Sequence, residues 1–227
     1  MKRFTWRGLV AVLGLGTCIG LVGCGVAGAE GQSTVLPDPR QDEPLVAGPP
    51  RTVVFAGACF WGVQAVFEHV EGVISATSGY AGGSLKNPSY EAVSTGTTGH
   101  AESVQVVYDP AKVTYGTLLK VFFSVAHDPT ELNRQGPDTG TQYRSAIFTT
   151  SPDEARLTQA YIQQLTSAKV FGQPIVTEVA PLAAFYPAEA YHQDYAKLHP
   201  ESMYIVINDL PKVAHLKAQF PTLYRPY

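Results

Sequence analysis

The sequence is short of thiols. Only three of its 227 residues are cysteines, and two of these, Cys18 and Cys24, lie within the first two dozen residues. Cys59 is therefore the one cysteine in the rest of the chain. A thioredoxin-like site needs a Cys-x-x-Cys pair, which is absent. The six histidines show neither HxxxH nor HxH spacing, so the usual ligand pattern of a zinc site is absent as well.

The sequence also lacks a strong charge of one sign and a long hydrophobic run. The formal net charge is −3 and there is no basic stripe, so nothing indicates a nucleic-acid partner. A phosphate-binding GxxxxGK[ST] loop is absent. The apolar stretch over residues 9–22 is shorter than the roughly 20 residues that a membrane-spanning helix needs.

The N-terminus has the features of a bacterial export signal. A basic start precedes the apolar stretch, and Leu21-Val22-Gly23-Cys24 resembles a lipobox, which is cleaved before a cysteine that carries lipid. We therefore predict a signal peptide over residues 1–23 and a lipid on Cys24 that anchors the exported protein to a membrane of the cell envelope. The alternative is an ordinary secretory signal cut at Ala27-Gly28-Ala29, which would leave the protein secreted or soluble in the periplasm.

Residues 24–51 are predicted to form a disordered tether. They hold five prolines and several glycines, with almost no aromatic or aliphatic clustering, so they lack the side chains for a core. Residues 52–227 have an ordinary length for one domain.

The apolar pattern of residues 52–227 predicts strands and helices in the order β-α-β-β-α-β-α-β. This order lacks a strict βαβ repeat, so we predict an α+β fold of two layers with a mixed or antiparallel sheet. From Pro181 onward we expect an irregular, aromatic tail. The expected strands are residues 52–55, 73–78, 103–108, 145–149 and 175–179, and the expected helices are residues 59–70, 115–125 and 152–167, the last with Ser151 as its N-cap.

Cys59 stands between a predicted strand and a predicted helix. An apolar run leads into the small pair Gly57-Ala58, and apolar residues after the cysteine recur at helical spacing. A thiol in the first turn of a helix is near unpaired N–H groups and the positive end of the helix dipole, which favour the thiolate. Cys59 is therefore a candidate nucleophile. This window alone leaves open the alternative of a buried cysteine that serves as a small hydrophobic residue.

Three glycine-rich polar loops, at residues 82–90, 96–102 and 133–145, carry further candidates. Loops of this kind often hold active sites, although each is also consistent with a solvated surface turn. Glu102 is harder to explain as a surface residue because it precedes a partly apolar strand. A buried carboxyl keeps its proton and can act as a general acid near neutral pH.

Taken together, these motifs resemble a known family. Gly57-Ala58-Cys59-Phe60-Trp61-Gly62 is similar to the signature of the peptide methionine-S-sulfoxide reductase A family. The resemblance extends over most of residues 52–205, and it implies a reductase catalytic domain over residues 52–227 with a ferredoxin-like α+β sandwich. The further matches are Gly79-Tyr80, Asn87-Pro88-Ser89-Tyr90, Gly99-His100-Ala101-Glu102, Tyr108-Asp109-Pro110, His127-Asp128-Pro129-Thr130, Arg134-Gln135-Gly136, Asp138, Gln142-Tyr143-Arg144-Ser145 and Phe185-Tyr186-Pro187-Ala188-Glu189.

The resemblance also implies catalytic roles. Cys59 would attack the sulfoxide sulfur as a thiolate and become a sulfenic acid, while Glu102 would deliver a proton to the sulfoxide oxygen. Tyr90 and Tyr143 would donate hydrogen bonds to that oxygen as charge develops on it. Asp138 would steady the polar network.

Phe60 and Trp61 are the implied substrate-binding residues. They would enclose the S-methyl group in an apolar pocket that excludes water. The implied substrates are methionine-S-sulfoxide in oxidised proteins and peptides and the free amino acid, and the implied role is protein repair under oxidative stress. No metal or organic cofactor is implied.

The C-terminal tail departs from the family pattern. Many members carry resolving cysteines there, and residues 208–227 have none. An internal disulfide is then impossible in the mature chain, so the sulfenic acid must be reduced by an external thiol, either a small molecule or an exported thioredoxin-like protein. We expect the protein to be a monomer, with the lipid on Cys24 as its contact to the membrane.

Two other functions stay open at this stage. A Cys–His hydrolase could use Cys59 with an imidazole from His100, His127 or His192. A lipoprotein that binds oxidised methionine without turnover is the non-enzymatic alternative.

Overall fold

The computed structural model describes residue 1 and residues 36–227. The predictions for residues 2–35, which include the signal peptide, the lipid on Cys24 and the first part of the tether, lie outside the described residues. Over the part of the chain that is described, no helix is long and apolar enough to cross a membrane.

The fold is α+β and is built on a mixed sheet of six strands. Its strand order is β7-β6-β1-β3-β2-β8, and every neighbouring pair is antiparallel except β6 and β7, which are parallel. Two very short strands, β4 and β5, form a separate hairpin. The strands are β1 (Arg51–Ala56), β2 (Val73–Ala81), β3 (Ala101–Tyr108), β4 (Arg134–Gln135), β5 (Asp138–Thr139), β6 (Ala146–Thr149), β7 (Glu178–Pro181) and β8 (Phe185–Pro187).

Helices lie between the strands of the sheet and also after its last strand. The helix α4 shows most directly how the sequence fixes a helix start. Ser151 caps it by accepting a hydrogen bond from the Glu154 N–H, and Pro152 occupies its first turn, as predicted. The helices are α1 (Phe60–Glu68), α2 (Tyr90–Ser94), α3 (Tyr115–Val121), α4 (Pro152–Ala168), α5 (Tyr195–Leu198) and α6 (Leu210–Gln219), with π-helical turns at Phe122–Ala126 and Ile205–Asp209.

Both faces of the sheet are buried. In β1, Val53 and Phe55 point into the main core under α1, α3 and α4, whereas Val54 and Ala56 point into a smaller cluster on the opposite face. The Phe55 ring stacks between those of Phe67 and Phe122, at centroid distances of 4.9 and 4.7 Å. Burying each such ring stabilises the fold by roughly 1.5–3 kcal/mol. The strand β1, which leads to Cys59, is therefore packed on both faces of the sheet.

The predicted irregular tail was wrong. After Pro181 the chain forms β8, α5 and α6, and β8 adds to the sheet beside β2 through the pairs Gly79–Pro187 and Ala81–Phe185. Long-range packing explains this order, because α6 packs against α1 and buries Leu216 completely. The strand predicted over residues 175–179 as the last one is β7, which begins later, at Glu178, and is followed by β8.

The tether prediction also needs correction, for residues 36–51. Residues 36–50 have no helix or strand, yet they pack along α3 and α4, where Leu36 is buried and the Tyr161 hydroxyl donates to the Pro37 carbonyl at 2.8 Å. Asp42 accepts from the Gly116 N–H at 2.8 Å and from the Thr114 hydroxyl at 2.5 Å, at the start of α3. The composition of this segment did not predict the packing, because each of these hydrogen bonds is made with a partner more than 70 residues away. Arg51 itself belongs to β1.

Candidate active site

Cys59 follows a tightly packed turn between β1 and α1. A Cβ atom at Gly57 would lie 2.8 Å from the His127 ring and 2.9 Å from the Phe122 ring, so only glycine fits there. Ala58 has a φ of 111°, a strained value for a residue with a side chain, costing of order 1–3 kcal/mol. Cys59 then serves as the N-cap of α1. The packing of β1, α1 and the turn Phe122–Ala126 thus fixes where the thiol lies.

The Cys59 thiol is free and buried, with 7% of the residue exposed. Burial raises its pKa well above the ordinary value, and the charges of Glu102 and Asp209 raise it further, while the Trp61 backbone N–H acts in the opposite direction. The helix end favours the thiolate, as the sequence predicts, but desolvation outweighs this effect in the unliganded protein.

Glu102 is the second residue of β3 and is 3% exposed. Its Oε2 accepts a hydrogen bond of 3.0 Å from the Phe60 N–H, in the first turn of α1. Burial raises the pKa of this carboxyl to about 8, against the effect of that hydrogen bond and with smaller contributions from Asp138 and Asp209. Glu102 therefore carries a proton at neutral pH beside the helix that bears the thiol.

The two candidate tyrosines and Asp138 come from two separate segments, Tyr90 from the start of α2 and the other two from residues 133–145, and they meet at this pair. Burial and the charge of Glu102 raise the pKa of both Tyr90 and Tyr143, and the charges of Cys59 and Asp138 act on both in the same direction. The phenols therefore stay protonated and can donate hydrogen bonds. The structure thus gathers all five residues to which the resemblance assigned catalytic roles into one electrostatic cluster.

Phe60 and Trp61 contribute to an aromatic wall beside the thiol. Phe60 is buried and packs against the rings of Tyr90 and His192, at centroid distances of 6.5 and 5.1 Å. Trp61 is stacked on Tyr195 at 3.8 Å, and its Nε1 donates to Nδ1 of His192 at 3.2 Å. The wall is closely packed and mainly apolar, which suits a small apolar group of a substrate.

Several residues of the site were missed because they lie in the tail that was expected to be irregular. The Tyr204 hydroxyl donates to Oδ2 of Asp138, and the Tyr204 ring meets the Trp61 ring edge-on at 5.8 Å. Glu189, quoted above only as part of a matching motif, accepts from the Tyr80 hydroxyl at 2.8 Å and from the Tyr90 N–H at 2.9 Å. No local pattern identifies such residues, since their partners are far away in the sequence.

The histidines proposed for a hydrolase have other partners. His192 accepts from Trp61, and His100 contacts the Gly83 N–H at 3.1 Å and the Leu85 carbonyl at 2.8 Å. His127 contacts the Ser145 hydroxyl at 2.7 Å, and burial lowers its pKa to about 3, so it stays neutral. None of these contacts makes a Cys–His pair. Within residues 1 and 36–227, no group of three His, Cys, Asp or Glu side chains could hold a metal ion.

Comparison with known protein families decides which chemistry this cluster belongs to. The family model described as peptide methionine sulfoxide reductase matches residues 51–223. The chain belongs to this family. The resemblance noted from its motifs is thereby confirmed.

Named relatives agree with the assignment. The chain is 60% identical over 173 residues to peptide methionine sulfoxide reductase MsrA 2 of Mesorhizobium japonicum, which covers 76% of this chain and 89% of that protein. It is 51% identical over 191 residues to MsrA 2 of Synechocystis sp., covering 83% and 89%. Among solved structures, Mxr1 from Saccharomyces cerevisiae in reduced form superposes with a TM-score of 0.60 at 31% identity, covering 72% of this chain and 92% of that one.

Proposed function

We propose that this reductase converts methionine-S-sulfoxide in oxidised proteins and peptides, and the free amino acid, to methionine. The observation that carries the proposal is a buried thiol beside a buried carboxyl whose pKa of about 8 keeps it protonated at neutral pH, both next to an aromatic wall. The names of the relatives support this activity and the repair of oxidised proteins that it would provide.

The chemistry balances without a cofactor. Phe60 and Trp61 hold the S-methyl group, Glu102 gives its proton to the sulfoxide oxygen, and the Cys59 sulfur attacks the sulfoxide sulfur. The oxygen passes to Cys59, the thiol proton replaces the one that Glu102 gave up, and methionine leaves. The substrate sulfur gains two electrons, and the Cys59 sulfur loses two as it becomes a sulfenic acid.

Tyr90 and Tyr143 act on the same oxygen as hydrogen-bond donors. Because burial raises their pKa values, their phenols stay protonated and can donate to the oxygen on which negative charge develops. Asp138 acts through Tyr204. It accepts a hydrogen bond from the Tyr204 hydroxyl, and the Tyr204 ring contacts the Trp61 ring.

Recycling requires a thiol from outside the chain. Residues 60–227 contain no cysteine, so the sulfenic acid has no partner there. An external thiol, either a small molecule or an exported thioredoxin-like protein, attacks it to form a mixed disulfide that a second thiol then resolves.

The remaining expectations extend the proposal. The lipobox-like sequence ending at Cys24 supports export and a lipid anchor in the cell envelope, and the domain acts there as a monomer. The order β6-β1-β3-β2, antiparallel throughout and with α1, α3 and α4 over the main core, supports a two-layer ferredoxin-like sandwich.

The direct test is turnover of a methionine-S-sulfoxide peptide with dithiothreitol. Wild-type protein should reduce it repeatedly, and Cys59→Ser should leave less than about a thousandth of that rate. A hydrolase would show no reduction, and a binding protein would give no turnover. Either result would overturn the proposal.

A further inference from the structure

A buried ion pair lies beside the site and has no part in the chemistry above. Asp209 ends the turn Ile205–Asp209 and is 0% exposed. Its Oδ1 accepts from Nζ of Lys212 at 3.1 Å, and its Oδ2 accepts no hydrogen bond from any residue that the structure describes. Burial raises the pKa of Asp209, and the charge and hydrogen bond of Lys212 lower it, so the ammonium favours the carboxylate form. A buried carboxylate with one oxygen unpartnered is unfavourable, so this pair calls for a physical reason.

The pair is pressed against the first turn of α1. A Cβ atom at Gly62 would collide with Oδ1 of Asp209 and would lie 2.8 Å from Nζ of Lys212. Glycine at this position lets the carboxylate approach the helix backbone three residues after Cys59. The contact joins α6 and the turn before it to the helix end that carries the thiol.

The charge of Asp209 also reaches both reacting groups. It raises the pKa of Cys59 and that of Glu102, in each case in addition to the larger effect of burial. Lys212 acts on Cys59 in the opposite direction but less strongly than Asp209. The charged and titratable groups facing the carboxylate are Cys59, Glu102, Asp138, Tyr204 and Lys212.

We propose that Asp209, held in place by Lys212, is a positioning residue that fixes the first turn of α1 and whose negative charge keeps the proton on Glu102 until the sulfoxide oxygen arrives. The same charge holds Cys59 as a thiol in the unliganded protein. The Cys59 thiol is thereby protected from alkylating and oxidising agents, and Glu102 stays protonated and able to act as the general acid. The inference rests on the proposed reductase function.

Two measurements on Asp209→Asn test it, and they move in opposite directions. Alkylation of Cys59 by iodoacetamide at pH 8 should become roughly 3- to 10-fold faster, because more of the thiol is ionised. Single-turnover reduction of a methionine-S-sulfoxide peptide should be within about twofold of wild type at pH 6 and fall several-fold below it at pH 8.5, because Glu102 loses its proton at lower pH. A merely structural defect that exposes the buried thiol would also speed alkylation, but it would slow reduction at pH 6 as much as at pH 8.5.

The control is Asp153→Asn, which removes one carboxylate from the exposed surface of α4, where Asp153 has 74% of its side chain accessible. It should change neither measurement. If Asp209→Asn does not fold, Asp209→Asn/Lys212→Met replaces both charges with neutral groups and carries the same test. The direction stays the same, since the carboxylate acts on the thiol more strongly than the ammonium does.

A uniform loss of reduction at every pH, with alkylation either unchanged or faster, would overturn the proposal and leave Asp209 a structural residue only. If the wild type itself reduces no sulfoxide, faster alkylation of Asp209→Asn than of the wild type would instead support the effect of Asp209 on the thiol and contradict the proposed function. The two failures are therefore distinguishable.

Discussion

Two carboxyl groups at opposite ends of α1 have similar, raised pKa values. Glu102 accepts from the first N–H of the helix, Glu68 is the last residue of the helix, and both have a pKa raised to about 8. For Glu68, burial is again the largest cause, followed by a hydrogen bond with the carboxyl of Asp194. The helix dipole disfavours a carboxylate at the end where Glu68 lies and favours one near Glu102, so Glu102 is protonated in spite of the dipole.

The surroundings of the two groups differ more than their pKa values. Glu68 lines a cavity of about 430 Å³ together with Lys197 and Arg225, and it accepts from the Tyr227 hydroxyl at 3.0 Å. Glu102 lies near a thiol, two phenols and an aromatic wall. A raised pKa therefore indicates an active site only where a nucleophile and hydrogen-bond donors accompany it, and a cavity alone does not.

Replacing Glu102 or Glu68 by glutamine should show the largest difference between the two groups, measured as the rate of single-turnover reduction. Glu102→Gln keeps a hydrogen-bond donor but has no proton to give, so single-turnover reduction should slow by roughly 10²–10⁴. Glu68→Gln is the matched control and should leave the rate within about twofold of wild type. Equal rates for Glu102→Gln and wild type would mean that another group, such as Tyr143, is the proton donor.

A smaller effect is expected for the phenol that faces Glu102. Tyr143→Phe removes one of two donors to the sulfoxide oxygen and should lower the single-turnover rate by roughly 10- to 100-fold, with the pH dependence retained. Tyr227→Phe removes the hydroxyl that bonds Glu68 and should leave the rate unchanged. If the two variants behaved alike, Tyr143 would have no place in the reaction.

The smallest effect concerns stability. A carboxyl whose pKa rises on folding, from 4.5 to about 8 for Glu68, binds more protons folded than unfolded in this range. Its contribution to stability is therefore full below pH 4.5 and is lost as the pH rises towards 8. Glu68→Gln has no such group, so its Tm should fall less than that of wild type between pH 5 and pH 8. An identical fall in both proteins would show that Glu68 does not titrate as described.

Local patterns were sufficient for one half of the site. The apolar run, the Gly57-Ala58 turn and the helical spacing after Cys59 predicted the unit β1–turn–α1, and the strand after Glu102 predicted its burial. The resting state of the thiol did not follow, because desolvation depends on the whole fold around it rather than on the helix end alone.

The other half of the site depends on contacts that no window of sequence contains. Tyr204 reaches Asp138 across 66 positions, and Asp209 meets the helix at Gly62. The tail looked irregular because its helices are short and their order comes from packing on α1 and β2. The docking of residues 36–50 escaped prediction for the same reason.

The central claim is that Cys59 takes the oxygen atom from the substrate and keeps it until an outside thiol removes it. The most direct test mixes purified mature protein with excess methionine-S-sulfoxide peptide and no reductant, and then maps the protein by mass spectrometry with a sulfenic-acid trap. The account predicts about one methionine formed per protein molecule and the trapped oxidised species on the Cys59 peptide alone. Repeated turnover without reductant, or a product that carries a disulfide and no added oxygen, would contradict it.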